Sequence, residues 1–193
     1  DPTIFVENGK YYLTGTRNQE PQGFAILEST DLEHWTVPDG TSLQLILRKG
    51  DQTYGEKGFW APQYFKDKRT YYFTYTANEQ TVIASSKSVF GPFRQKEVKP
   101  IDASAKNIDS FLFKDDDGKY YLYHVRFNKG NYLWVAEFDI KKGSIKPETL
   151  KQCMDCTEPW EKTPNYKSAP VMEGPTVMKW DGYIIFSILP IIL

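Results

Sequence analysis

One phrase is written four times along this chain, and few folds can accommodate it. Its fullest copy runs from Asn107 to Val125. Ile108 to Phe113 and Lys119 to Val125 are rich in aromatic and branched residues, and Asp115-Asp116-Asp117-Gly118 between them supplies a turn in which Asp-Gly tolerates positive φ. The segment predicts a β-hairpin. Phe111 and Phe113 oppose Leu112 on the first strand, and Tyr121 and Tyr123 oppose Leu122 on the second, so the sheet is expected to be covered on both faces.

The other copies open at Asp1, with an Asn8-Gly9 turn, at Ala61, and at Glu173. Starts at 1, 61, 109 and 173 are 60, 48 and 64 residues apart. Units of that length, each holding a hairpin and further short strands (Phe24 to Glu28, Thr81 to Ser85, Tyr132 to Phe138), predict β-propeller blades instead of a helical solenoid. The expected blades cover 1–50, 55–100 and 105–145, with a partial one at 168–193, all within a single incomplete all-β domain spanning 1–193. A polar linker is expected from Lys146 to Lys167, and Pro2, Pro62 and Pro175 are expected at strand entrances, where a missing N–H breaks no ladder bond.

Asp1, Asp109 and Glu173 place a carboxylate at what reads as one equivalent position in three of the four copies, with Ala61 in the other. Equivalent positions of successive blades converge on a propeller's axis, and acids gathered there repel one another, which raises at least one pKa and leaves a proton donor near neutrality. Such a set suits glycosidic cleavage. For any one of these acids alone, bonding to backbone amides or to a cation at a strand entrance is the competing reading. Trp60 precedes the second strand entrance and could offer a sugar a stacking face or be buried, and Phe59 stands beside it as a second candidate subsite wall.

Composition closes several other routes. A net charge of −1, with acids and bases interleaved, points away from nucleic acid as a partner. No signal-peptide pattern or transmembrane run is present. Because Asp1 already heads a repeat, a segment upstream of it is expected. Cys153 and Cys156 form a single Cys-x-x-Cys with neither a second pair nor a βαβ context, and are expected to be loop cysteines without catalytic duty. His34 and His124 have no nucleophile motif nearby and are read as satisfied structural histidines, so no metal site is assigned. The last residues, from Ile184 to Leu193, abandon the pattern; an apolar run holding Pro190 predicts a poor, exposed strand and suggests a frameshift or truncation near Tyr183.

The motifs also carry a family likeness. Asp1-Pro-Thr-Ile-Phe with Tyr11-Tyr12, Phe59-Trp-Ala-Pro-Gln63, Ile108-Asp-Ser-Phe-Leu-Phe with Asp115-Asp-Asp-Gly118, and Glu173-Gly-Pro resemble the successive blade motifs of glycoside hydrolase family 43, over Asp1 to Tyr183. The resemblance implies a five-bladed β-propeller, of which some three and a half blades are present here. It implies an inverting hydrolase of plant-type polysaccharides, acting on α-L-arabinofuranosyl or β-D-xylosyl linkages. Asp1 matches the general base, Glu173 the general acid, and Asp109 the third carboxylate that tunes the acid. An inverting pair stands roughly 6.5 to 9.5 Å apart to admit a water. The chemistry needs no cofactor, although the complete propeller would carry a structural calcium, and the protein is expected to be secreted or periplasmic in a bacterium.

Two departures stand out. Ser110 occupies a place where the family usually has Pro, and the rest of the fourth blade and the fifth are missing, with the family's central metal-binding histidine. An open propeller edge is expected to self-associate. The competing classes are a non-catalytic carbohydrate-binding propeller, an inactive fragment of the enzyme, and a purely structural scaffold.

Overall fold

The computed structural model describes residues 1–40, 42–161 and 170–190, and every statement below concerns these. Each of the four repeated phrases forms an antiparallel hairpin. In chain order the strands are β1 (Pro2–Glu7), β2 (Lys10–Gly15), β3 (Gly23–Ala25), β4 (Leu27–Ser29), β5 (Leu45–Arg48), β6 (Trp60–Asp67), β7 (Thr70–Ala77), β8 (Gln80–Ser86), β9 (Asn107–Lys114), β10 (Tyr120–Phe127), β11 (Asn131–Asp139), β12 (Ser144–Ile145), β13 (Lys151–Met154), β14 (Met172–Trp180) and β15 (Tyr183–Pro190). Asn8-Gly9 and Asp181-Gly182 both place two successive residues at positive φ, the turn whose twist matches that of the flanking strands.

Residue contacts divide the chain into two units, 1–78 with 82–100 and 79–81 with 101–193. The first holds the sheets β1-β2-β4, β3-β5 and β6-β7-β8. Its core is aromatic. Phe24 meets Phe73 edge-on at 5.1 Å and Tyr75 at 5.5 Å, while Phe59 stacks on Tyr75 with 9° between ring planes. Such pairs add about 0.5–1.5 kcal/mol each beyond the area they bury. The third strand expected over Phe24 to Glu28 is divided in the structure: β3 pairs with β5 and β4 pairs with β2, with the fully buried Ile26 at the switch between sheets.

The second unit holds a five-stranded sheet of β9 to β13 and the β14-β15 hairpin. Leu122, Tyr123, His124 and Val125 are consecutive and all buried, so β10 is covered on both faces as its composition predicts. The expected polar linker is in part a strand, because β13 pairs with β11, and Cys153 lies on it with Sγ facing the Leu133 carbonyl. The start expected for the partial fourth blade, at 168, lies outside the described residues. So does the end of the anomalous tail. What is described of that tail corrects the expectation of a poor strand: β15 pairs with β14 along its length, Phe186 and Ile188 pack on the core around Tyr123 and Leu133, and Pro190 falls at the strand's last position. Trp180 and Tyr183, flanking the turn, stay largely exposed.

Candidate active site

Three strands share one local distortion. Trp60 pairs with Thr76 and Gln63 with Thr74; Ile108 with Val125 and Phe111 with Tyr123; Glu173 with Leu189 and Thr176 with Ser187. Each strand therefore carries one residue more than its partner, a β-bulge, and the extra span holds a residue at positive φ: Ala61 at 44°, Asp109 at 50°, Gly174 at 61°. Only the glycine adopts this conformation freely. At Asp109 it costs of the order of 1–3 kcal/mol, strain of a kind that collects at functional sites and re-aims side chains.

This register corrects one sequence expectation. Asp109 and Ala61 correspond to Gly174, whereas Glu173 corresponds to Ile108 and Trp60, so the three acids do not share one equivalent position. The fixed point of the repeat is the residue after the bulge, Pro62, Ser110 or Pro175, where a missing N–H is tolerated; aligning on the acid shifts the fourth copy by one. Pro62 and Pro175 accordingly lie inside strands and not at their entrances.

The offset brings Asp109 and Glu173 together. The Gly174 amide donates to Asp109 Oδ2 at 3.1 Å. Burial, reinforced by the charge of Glu173, pushes the Asp109 carboxyl up to about 6, although the Gly174 amide pulls the other way. Burial also raises Glu173 above the usual carboxylate range, partly offset by Asn131, whose Nδ2 donates to Glu173 Oε1. The start of β9 is held by Asn107, which is fully buried: its Oδ1 accepts from the Thr81 amide at 2.9 Å, and its Nδ2 donates to the carbonyls of Asp102 at 2.8 Å and Ala105 at 2.7 Å. The strained Asp109 thus follows an anchored residue by two positions.

Asp1 lies in the first unit and is described by itself. It is exposed, and Thr16 Oγ1 donates to its Oδ2 at 3.0 Å while accepting from the Ala61 amide at 3.1 Å. One hydroxyl therefore links the candidate base to the β6 bulge. Trp60 is half-buried. Phe59 is 1% exposed and sealed in the aromatic core, so the expectation that it walls a subsite is overturned. His34 is exposed and paired with Asp31 at 2.8 Å. His124 is fully buried; burial, with Arg126 nearby, pushes its pKa down to about 4, against the pull of Asp102 and of a hydrogen bond with the Leu122 backbone. Thr16, Asn107 and Asn131 were missed at the level of sequence, since nothing in their type or spacing distinguishes them from ordinary strand-end polar residues.

All-β architecture, repeated bulged hairpins and a half-buried acidic pair define a propeller-type protein with a candidate acid–base site. The chain belongs to glycosyl hydrolases family 43, whose family model matches residues 1–188. Its sheets match those of the family's five-bladed β-propellers, of which it covers part. It is 27% identical over 195 residues to the extracellular endo-alpha-(1->5)-L-arabinanase 1 of Bacillus subtilis and 29% identical over 196 residues to a xylosidase/arabinosidase of Butyrivibrio fibrisolvens. Each match covers 95% of this chain, but only 56% and 35% of those proteins. Among solved structures, an endo-1,4-beta-xylanase from Bacteroides thetaiotaomicron superposes with a TM-score of 0.84 at 39% identity, over 96% of this chain and 62% of that one. A thermostable family-43 glycoside hydrolase gives a TM-score of 0.82 at 28% identity, with the same coverage.

Proposed function

We propose that the complete protein is an inverting glycoside hydrolase of arabinan- or xylan-type carbohydrates, secreted like the arabinanase it resembles. The observation that carries this reading is the Asp109 and Glu173 pair: burial holds both carboxyls above their ordinary range, and the charge of Glu173 adds to the rise at Asp109. A carboxylic acid still protonated near neutral pH is what departure of a glycosidic oxygen requires. Glu173 donates that proton. Asp109, whose ionisation the Glu173 charge opposes, sets the charge beside the acid. Asp1, exposed and oriented by Thr16, activates the attacking water. Trp60 contributes a stacking face at a sugar subsite.

Among the described residues no group of three or more His, Cys, Asp and Glu side chains is placed to hold a metal ion. No step of the proposed reaction runs through the calcium expected of a complete propeller. No helix among the described residues is long and apolar enough to cross a membrane. Self-association through the apolar β14-β15 hairpin belongs to the same reading and is checked by light scattering.

The test is a panel of aryl arabinofuranoside and aryl xyloside, with arabinan and xylan, against the protein and its Glu173→Gln variant. Hydrolysis that falls about 100-fold or more in the variant supports the assignment. Oligosaccharide binding by calorimetry with no release of reducing sugar would favour a carbohydrate-binding propeller instead.

A further inference from the structure

We infer that Asn131 is the positioning residue of the candidate acid, holding Glu173 by one carboxyl oxygen so that the proton to be transferred resides on the other. The inference rests on the reading of Glu173 as the acid. Asn131 Nδ2 donates to Glu173 Oε1. A donor at Oε1 disfavours a proton on that oxygen, so the acidic hydrogen of the neutral form sits on Oε2 and its direction is set by the torsion the amide holds. The same contact favours the ionised carboxylate, because a hydrogen bond is stronger to a charged acceptor than to a neutral one.

The backbone brings the amide to this place by other means. Asn131 opens β11, and its own N–H donates to the Pro170 carbonyl at 2.9 Å beside a parallel bridge to Val171, two residues before Glu173. The residue before it must be small. A Cβ on Gly130, whose φ is 141°, would lie 2.9 Å from the Pro170 carbonyl oxygen and from the Tyr132 ring. The Asn128 amide closes the turn on the Gly130 carbonyl at 2.9 Å. Main-chain hydrogen bonding thus joins β11 to the approach of β14 without calling on the Asn131 side chain. The titratable group facing Glu173 from β9 is Asp109; on β14 itself, Lys179 is engaged at the far end by Asp115 and Asp116.

The experiment follows the Glu173 side-chain carboxyl by carbon-13 NMR across pH in the full chain, with the resonance assigned through Glu173→Gln. Asn131→Ala removes the donor, and Asn131→Asp keeps the shape while replacing the donor with an acceptor. The Glu173 midpoint is expected to rise by about one pH unit in Asn131→Ala and at least as far in Asn131→Asp. In a hydrolysing protein the basic limb of kcat/KM moves up with it, a response that a merely structural role would not produce. Should Asn131→Ala fail to fold, the isosteric Asn131→Asp carries the measurement. An unchanged midpoint overturns the inference whatever the activity. A raised midpoint in a complete protein that hydrolyses no glycoside upholds the contact and overturns the acid reading of Glu173.

Discussion

The amide of Gly174 donates to Asp109 Oδ2, so the bulge of the fourth hairpin supplies a hydrogen bond to the strained acid of the third. Across more than sixty residues of sequence, the charge of Glu173 thereby bears on the ionisation of Asp109.

The first prediction concerns that influence. In Glu173→Gln the charge opposing Asp109 is gone while burial and the Gly174 amide remain, so the Asp109 midpoint falls below about 6. Carbon-13 NMR of the Asp109 carboxyl measures it, and a midpoint that stays in place would show that burial alone raises the group.

Stability against pH offers a second test, because the half-buried Asp109 and the buried His124 act with opposite sign. Asp109 is raised from 3.8 to about 6, so the folded state holds its proton more tightly than the unfolded one, and stability is lost as pH rises through that interval. His124 is lowered from 6.5 to about 4, so stability is lost as pH falls from 6.5 toward 4. Each contribution is on the order of 3 kcal/mol, and across their common window the two largely cancel. Asp109→Asn should unmask the histidine and make the urea midpoint fall steeply on acidification from pH 6.5 to about 4. His124→Leu should reverse the slope.

Thr16→Val withdraws the donor from Asp1 Oδ2 and the acceptor from the Ala61 amide in a single change. The expected loss of stability is about 1–2 kcal/mol. In an active protein the acidic limb of the pH profile moves upward, since a carboxylate deprived of a donor holds its proton more tightly. Thr16→Ser, which restores the hydroxyl, should return both.

Phe59 and Trp60 are adjacent yet predicted to fail differently. Truncating Phe59 to Ala empties the aromatic core and should cost about 3–5 kcal/mol in chemical denaturation. Trp60→Ala, at a half-buried ring, should cost less stability and raise KM for oligosaccharides. Equal destabilisation would assign Trp60 to the core as well.

Much of this molecule was legible in its residue order. Alternating aromatic and branched residues, around Asn-Gly or Asp-Gly turns in three copies and around Lys68-Arg69 in the second, specify hairpins through local preference, and all four formed where the phrases are written, including one whose last strand looked unsuitable. Asp109 and Glu173 were visible as candidates because a carboxylate near a strand entrance is conspicuous within a repeat.

What local order could not decide was register and neighbourhood. The bulges shift Glu173 by one place relative to Asp109, and a one-residue offset in a strand is a property of hydrogen bonding to the partner, not of the strand's own residues. Burial of Phe59 and of the His124 ring and the amide of Asn131 on Glu173 depend on segments distant along the chain. Turns and strands were determined by sequence because their energetics act between near neighbours. Protonation and orientation of the acids were decided only by the tertiary structure, because desolvation and charge depend on everything packed around a group.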